Sequence, residues 1–428
     1  MRWHVGLGLV ASFVACSSSG MDLEENAGGG AGDSNGGGRG MEVVGGKGGT
    51  GALAVVGGAG GRTSTGGTGG KPPAAGTGGM PAVGGKAGST PPVLVDMDPA
   101  AGNPVGACVV PAGGALESVA SPKTVVGNGT PQSCTSQAVV DAVAKGGIIT
   151  FSCGTAATTI VLARTAKIFN DTGPKIVIDG GSKVTLSGGG KVRILYQNTC
   201  DAAQKFTTSR CQDQDSPQLT LQNITFVDGN SKGELTEGGG GGAVFVRGGR
   251  LKLVNTRFFR NVCDNGGQDL GGAAVRVLSQ QQGLPVFVVN STFGGKAGLG
   301  NSCSNGGGLS GIGVSFTVIN SLFSHNQAVG SGANPARAGS PGGGSGGAIY
   351  NDGNTFTLSL CGTSVHNNSA NEGGGAIFYV SNDRTGSMII KDSVLTANPS
   401  KGFETEGFPG IFVLAKGSPA VSNSTIRN

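Results

Sequence analysis

A repeated phrase in the second half of the chain limits the possible folds more than any other feature. The sequence FTVINSLFSHN at residues 316–326 is similar to LKLVNTRFFRN at 251–261 and to MIIKDSVLTAN at 388–398. Aligning the phrases gives one reference position per repeat, and successive positions are 30 to 42 residues apart: Asn223, Asn255, Asn290, Asn320, Gly362, Asp392 and Asn423. Self-similarity with a period of roughly 20–50 residues is typical of solenoid proteins.

The pattern within each repeat predicts β-strands. Apolar residues alternate with other residues before the reference position, as Phe316 and Val318 do, and this period of two is that of a strand. A Gly-rich turn and a second strand phrase lie between reference positions, for example GGAVFV at 241 and GGAIFYV at 374. We therefore predict an all-β fold, a right-handed single-stranded parallel β-helix with one repeat per coil.

Two further features of the repeat predict how neighbouring coils are held together. Apolar residues three positions after each reference position should stack in the core: Phe226, Phe258, Phe293, Phe323, Val365, Leu395 and Ile426. The polar reference residues should lie at a corner of each coil, where side-chain amides can hydrogen-bond from coil to coil as a ladder. The expected structural ladder comprises Asn223, Asn255, Asn290, Asn320, Asp392 and Asn423.

The composition before the repeats predicts a flexible segment and a domain boundary. Residues 16–115 are rich in Gly, Pro, Ser and Thr, and such a segment cannot bury enough apolar surface to offset its ordering entropy. It should form a disordered tether, and residues 116–428 should form the β-helix domain. The sequence TSQAVVDAVAKGG at 135–147, with Thr135 or Ser136 as N-cap, predicts a short helix that covers the open end of the first coil.

The amino terminus predicts export. Residues 1–15 combine Arg2 with an apolar stretch that is too short to span a bilayer and fits a signal peptide of the lipoprotein type. Cys16 would then be the lipidated residue, and an ordinary secretory signal is the alternative. We expect the protein at the outer membrane surface as a lipoprotein, or outside the cell, with the lipid as its membrane contact.

The remaining cysteines agree with export. There are eight besides Cys16, and an even number in an exported chain predicts up to four disulfide bonds. Cys134–Cys153, Cys200–Cys211 and Cys263–Cys303 are the pairs that are close in sequence. Because the chain contains no CxxC phrase and no Cys/His cluster in sequence, we expect no structural zinc site.

The charged residues and histidines carry little functional signal. The formal net charge of +5 includes no run of Lys or Arg, so we expect no nucleic-acid partner. His325 and His366 occur in adjacent repeats, but their registers differ by one residue. We interpret them as loop histidines.

The alternation of GGA[IV] and FxxN phrases resembles the passenger repeats of polymorphic outer-membrane proteins. More broadly, residues 135–428 are similar to the right-handed parallel β-helix, pectate-lyase-like superfamily, and KIVIDGGSKVTLSGGG at 175–190 resembles an early-coil phrase common there. The resemblance implies a surface-exposed role in adhesion or in contact with carbohydrates. The superfamily also contains polysaccharide lyases and hydrolases, and fold alone does not decide between binding and catalysis.

Three residues of the second strand phrase form the predicted ligand site. Aligning the GGA phrases places Arg276, Asn351 and Tyr379 in one column, which we expect to face solvent and to bind a polysaccharide or a glycan of a host or neighbouring cell. The alternative is a polar outer face without a ligand.

A second hypothesis concerns catalysis. The sequence CDNGGQDLGGAAVRV at 263–277 brings Asp264 and Asp269 close to Arg276. In a uronate lyase such carboxylates would hold Ca²⁺ and the Arg would act as base. A polar turn with solvated charges is the alternative to this site. The sequence therefore favours a non-catalytic adhesive or glycan-binding protein without a cofactor, with a Ca²⁺-dependent polysaccharide lyase and a purely structural surface protein as alternatives.

Overall fold

The computed structural model describes residues 99–235 and 239–428, and these form a parallel β-helix. The predicted signal peptide, Cys16 and most of the predicted tether lie outside the described residues. Within the described part, each strand of the three long sheets runs parallel to its partners in the neighbouring coils, as the repeat predicts.

Three long sheets form the sides of the coils, and we number the strands in chain order. Sheet A contains, in spatial order, β1 (Thr124–Val126), β2 (Ile148–Phe151), β5 (Lys175–Asp179), β8 (Gln218–Gln222), β11 (Arg250–Val254), β14 (Val286–Val289), β18 (Phe316–Ile319), β22 (Thr357–Cys361), β26 (Ser387–Lys391) and β29 (Ala420–Ser422). Sheet B contains β3 (Thr158–Val161), β6 (Val184–Ser187), β9 (Thr225–Val227), β12 (Arg257–Phe259), β15 (Thr292–Gly294), β19 (Leu322–Ser324), β23 (Ser364–His366), β27 (Val394–Thr396) and β30 (Thr425–Arg427).

Sheet C completes each coil. It contains β4 (Ala166–Ile168), β7 (Leu195–Asn198), β10 (Val244–Arg247), β13 (Val275–Leu278), β17 (Leu309–Ile312), β21 (Ile349–Gly353), β25 (Ile377–Ser381) and β28 (Ile411–Leu414). A short sheet D lies between sheets B and C along the chain, with β16 (Ser302–Cys303), β20 (Gln327–Ala328) and β24 (Ser369–Ala370). The chain thus passes from sheet A to B to C in every full coil, for example through β8, β9 and β10.

The helix α1 (Ser136–Lys145) covers the first coil, as predicted. The Thr135 side chain accepts a hydrogen bond from the Ala138 N–H and caps its start, and Gly146 ends it with a φ of 62°. Val139, Val140 and Val143 are buried on one face of the helix, which packs against β1 and β4. This apolar face shields the end of the solenoid core from water.

The predicted apolar anchors form the centre of the core. Four of them stack ring on ring in sheet B, with centroid separations of 5.2 Å between Phe226 and Phe258, 4.8 Å between Phe258 and Phe293, and 4.4 Å between Phe293 and Phe323. Val365 continues the same column and is fully buried. Because one apolar side chain per coil occupies the same register, the core is continuous from coil to coil.

The long asparagine ladder lies in a second column, just after sheet B. The Nδ2 of Asn261 donates to the Oδ1 of Asn301 at 2.9 Å, and the same bond joins Asn301 to Asn326, Asn326 to Asn368, and Asn368 to Asn398 at 2.8 to 2.9 Å. All five side chains are buried. The ladder therefore gives buried side-chain amides in five successive coils hydrogen-bond partners, in the interior where an unpaired amide would be costly.

The reference residues, where the ladder was expected, share a backbone conformation instead. They turn the chain from sheet A to sheet B with φ between 46° and 53°, a left-handed conformation that Asn and Asp adopt more readily than most residues: Asn223, Asn255, Asn290, Asn320, Asp392 and Asn423. Asn255 donates to Asn223 at 2.9 Å, whereas the amide of Asn320 donates to the Cys108 carbonyl. The predicted ladder at this corner is therefore corrected to a short series, in which Asn255 donates to Asn223 and Asn223 donates to Asp179 of the preceding coil.

Disulfide bonds join the three pairs predicted from local spacing, Cys134–Cys153, Cys200–Cys211 and Cys263–Cys303. A fourth bond, Cys108–Cys361, spans 253 residues. It fastens a segment that we call the strap, residues 99–117, across successive coils. The strap includes the end of the predicted tether, and its Asn103 and Cys108 backbone N–H groups donate to Asn320.

Candidate functional site

The predicted glycan-binding column does not lie on one face of the β-helix. Asn351 and Tyr379 are fully buried and point into the coil. The Tyr379 hydroxyl donates to the Phe356 carbonyl at 2.7 Å, and the Asn351 Nδ2 donates to the Val314 carbonyl at 3.1 Å. These two side chains donate hydrogen bonds to backbone carbonyls inside the coil and do not face solvent. The prediction that they bind a ligand together with Arg276 is therefore corrected.

One Ala in place of a motif Gly explains the error. In sheet C, Arg276 aligns with Phe245 and Ser310, whereas Asn351 aligns with Gly311 and Tyr379. In the phrase GGAAVRV, Ala273 stands where the other coils have the second Gly (Gly242, Gly347 and Gly375), so alignment on GGA shifts Arg276 by one position. Because side chains alternate along a strand, a shift of one residue exchanges the inner and outer faces of a sheet.

Arg276 lies on the outer side of sheet C but is only 5% exposed. The loop that carries Gly240 covers it, since a Cβ atom at Gly240 would lie 2.8 Å from the Arg276 Cδ. Burial lowers the pKa of Arg276 to about 10, although Tyr350 and Asp269 act in the opposite direction. Its Nε and Nη1 are buried without a hydrogen-bond partner. The covering loop separates the guanidinium from a substrate outside the coil.

The two predicted Ca²⁺ ligands bind different loops. Asp264 accepts from the Gly233 N–H at 3.1 Å, and Asp269 accepts from the Asn334 Nδ2 at 2.8 Å. The same Asn334 amide nitrogen lies 3.0 Å from Asp352 and 2.9 Å from the Tyr350 hydroxyl. Burial raises the pKa of Asp352. This network anchors the loop before β21, and Ca²⁺ binding by Asp264 and Asp269 stays a prediction.

Among residues 99–235 and 239–428, one group of three or more Cys, His, Asp or Glu side chains is compact enough to share a metal ion. It consists of Cys108, Cys361 and Asp392, and its sulfur atoms form the disulfide of the strap. A disulfide offers no thiolate, the form in which Cys binds metals. The group is therefore a structural junction.

The outer side of sheet A carries a groove of about 290 Å³. We call it the strap groove, because Ala112, Gly113 and Glu117 of the strap form one wall and the segment from Gln280 to Phe287 borders the other side. Its floor is formed by outward residues of β8 and β11: Gln218, Thr220, Arg250 and Lys252. The groove thus combines amide, hydroxyl and cationic groups beside the ring of Phe287.

Two ion-pair clusters organise the charges of the strap groove. Glu117 pairs with Lys175 and Lys252. Burial alone would raise the pKa of Glu117, but both lysines outweigh this effect and the pKa lies below its usual value. Arg250 pairs with Asp215, which also accepts from Gln218. Three cations face two carboxylates, so the cluster has an excess of positive charge that favours an anionic ligand.

The strap fixes the groove closely to sheet A. The Lys252 Nζ donates to the Ala115 carbonyl at 2.9 Å, and the side chain of Gln222 exchanges two hydrogen bonds with the backbone of Glu117. A Cβ atom at Gly113 would lie 2.9 Å from the Phe287 ring, so only Gly allows this approach without a shift. Sequence reasoning missed this site because its wall comes from a Gly-rich segment assigned to the tether.

Comparisons with known proteins return no relative of this chain. No protein family matches it, and no curated protein or solved structure is significantly similar. No helix in the described part of the chain is long and apolar enough to cross a membrane. Four disulfide bonds are typical of an exported protein.

Proposed function

We propose that the protein is a surface-displayed, lipid-anchored β-helix that binds acidic glycan chains in the strap groove without catalysis. The observation that carries the proposal is the placement of Arg250 and Lys252 beside Phe287 in a preformed groove on a rigid sheet. Arg presents a planar fork of donors that matches a carboxylate or sulfate group, and Lys supplies a compact charge.

The remaining groups of the groove suit a sugar ring. Thr220 and Gln218 can exchange hydrogen bonds with hydroxyl groups, and Phe287 offers an apolar surface to the C–H groups of a pyranose. The groove volume of about 290 Å³ lies near the lower end of the range for small-molecule sites, about 300–1,000 Å³. It therefore suits a short stretch of a longer chain.

The display on a cell surface rests on three observations. The disulfides favour an oxidising compartment. Residues 1–15 fit a lipoprotein-type signal, and Cys16 and a long Gly-rich segment follow them. The GGA[IV] and FxxN phrases resemble those of polymorphic outer-membrane passengers and, more broadly, pectate-lyase-like β-helices. A lipidated Cys16 followed by the tether would hold the strap groove away from the membrane.

A polysaccharide lyase is the second candidate, and the lowered pKa of Arg276 favours it. A deprotonated Arg could abstract the proton beside a uronate carboxylate. The loop at Gly240 would have to open for this reaction, since Arg276 is buried beneath it.

The test uses the full-length chain and a panel of immobilised oligosaccharides that differ in charge: uronate, sulfated and neutral chains of equal length. We expect retention of acidic chains, weaker retention as salt rises because the exposed charges are screened, and no retention of neutral chains. Ultraviolet absorbance of the unsaturated product is followed in parallel, with and without Ca²⁺.

Each outcome separates the candidates. Equal retention of neutral and acidic chains, or no retention at all, would contradict an acidic-glycan site. A steady absorbance increase that is lost in Arg276→Lys would make the protein a lyase. Retention of acidic chains with a flat absorbance trace supports binding without catalysis.

A further inference from the structure

His325 and His366 lie side by side on the outer side of sheet B, far apart in sequence but in adjacent coils. β19 pairs in parallel with β23, and this register aligns Phe323 with Val365 and Ser324 with His366. Phe323 and Val365 are fully buried anchors of the core. Because side chains alternate along a strand, Ser324 and His366 point to the opposite, outer side.

The left-handed turn after β19 brings the second histidine to the same place. His325 follows Ser324 with a φ of 62°, so its side chain turns back toward the neighbouring coil. The two imidazole rings have centroids 6.3 Å apart and are nearly perpendicular, at 82°. The one-residue difference in sequence register is therefore compensated by the backbone conformation of His325.

Both rings direct the same atom toward one hydroxyl group. The Ser324 Oγ lies 2.5 Å from the His325 Nδ1 and 3.2 Å from the His366 Nδ1. The Asn367 Nδ2 lies 3.1 Å from the same His366 nitrogen. Two imidazole nitrogens thus converge on a small polar site whose centre is a serine hydroxyl.

The two histidines are suited to act as ligands at neutral pH. Both side chains are half-buried and therefore partly exposed to solvent. Burial lowers the pKa of His325, and burial and the neighbouring His325 lower that of His366. A neutral imidazole offers the lone pair that a metal ion requires.

We infer that His325 and His366 form a binding site for a divalent transition-metal ion. Among the ions of this class, the site should bind Cu²⁺ most tightly. Imidazole suits Cu²⁺, Ni²⁺ and Zn²⁺, whereas Ca²⁺ and Mg²⁺ require oxygen ligands. The Ser324 hydroxyl and water complete the coordination. The site lies on a different sheet from the strap groove and is independent of glycan binding.

The test is a titration of the full-length chain, without an affinity tag, with CuCl₂. Every protein carries Cys16→Ser so that no free thiol competes. Electron paramagnetic resonance reports nitrogen ligation, and competition with a chromophoric chelator gives the affinity. The variants are His325→Gln, His366→Gln and the double variant. His4→Gln is the matched control, because His4 is the only other histidine of the chain.

We expect the parent protein to bind one Cu²⁺ with the spectrum of two nitrogen ligands. Each single substitution should weaken binding at least tenfold, the double variant should lose the nitrogen signal, and His4→Gln and an excess of Ca²⁺ should change nothing. Nitrogen-ligated Cu²⁺ that persists in the double variant would overturn the inference, as would an effect of His4→Gln equal to that of the other variants. Melting temperatures of the metal-free proteins show whether each variant folds. If only one single variant folds, its comparison with the parent protein is enough to test the inference.

Discussion

Cys108 is bonded to Cys361, the last residue of β22, although 253 residues separate them in sequence. This bond holds the strap where Val110 packs beside Val254, Val289 and Ile319 on the outer side of the coils. The wall of the strap groove is thus positioned by a covalent link to a distant coil. The groove and the stability of the domain should depend on the same bond.

Replacing Cys108 and Cys361 together with Ser should lower the free energy of unfolding by about 2–5 kcal/mol, because the bond constrains a long loop in the unfolded chain. It should also weaken binding of acidic oligosaccharides, since the strap loses its fixed position. Chemical denaturation and a binding titration measure the two effects. The matched control replaces Cys134 and Cys153, whose bond lies at the capped end; it should leave glycan affinity unchanged. Equal affinity in both variants would contradict the role of the strap.

The buried ladder predicts a large effect at Asn368. Its amide donates to Asn398 and to the Phe323 carbonyl, and its Oδ1 accepts from Asn326. Asn368→Ala leaves several buried partners unpaired and should reduce the free energy of unfolding by about 3 kcal/mol. The exposed Asn265 serves as control, and Asn265→Ala should change it by less than about 0.5 kcal/mol. The free energy of unfolding is measured by denaturant titration. Similar losses in the two variants would show that the ladder does not contribute to stability.

Removing the buried guanidinium of Arg276 should not destabilise the fold, in contrast to Asn368→Ala. Its Nε and Nη1 lack partners, and an unpaired buried charge is costly. Arg276→Met keeps a long side chain in the same space and should leave the unfolding free energy unchanged or raise it by about 1 kcal/mol. A clear loss of stability, measured by the same denaturation, would mean that the guanidinium is stabilised by its surroundings.

The ion pair between Glu372 and Arg337 predicts a pH dependence. Arg337 donates to both carboxylate oxygens at 2.9 and 2.6 Å, and this contact holds the pKa of Glu372 below its usual value. A folded-state pKa below the unfolded one stabilises the fold above the unfolded value, about 4.3, and that contribution is lost as pH falls through the folded pKa.

Melting temperatures of the parent protein and of Glu372→Gln, compared from pH 7 to pH 3, measure this contribution. The parent should be more stable at pH 7, and the difference should shrink at acidic pH. A difference that is constant with pH would assign the effect to the hydrogen bond from the Gly332 N–H alone.

The repeat made the core and the architecture predictable, whereas the faces of single strands were not. Phe226, Phe258, Phe293 and Phe323 follow a fixed spacing from a turn residue, so their stacking follows from the sequence. Arg276 was misplaced because Ala273 replaces a motif Gly, which shifts the motif alignment by one residue and assigns Arg276 to the wrong face of the strand.

The strap groove and the histidine pair escaped prediction for a different reason. The groove depends on contacts between the strap, residues 99–117, and β11, which are far apart in the chain. The His325–His366 contact depends on the left-handed backbone conformation of His325, which the residue type alone does not predict. Both arise from tertiary geometry that local patterns do not encode.

The central claim is that the strap groove binds an acidic glycan through its cations, and one comparison tests it most directly. Arg250→Gln removes a half-buried guanidinium in the groove, and Arg384→Gln removes an exposed one in the turn after β25. With the acidic oligosaccharide that the parent protein retains best, calorimetric titration should show about tenfold weaker binding for Arg250→Gln, a loss of about 1.4 kcal/mol, and parental affinity for Arg384→Gln. Equal affinity in both variants would place the ligand elsewhere and contradict the account.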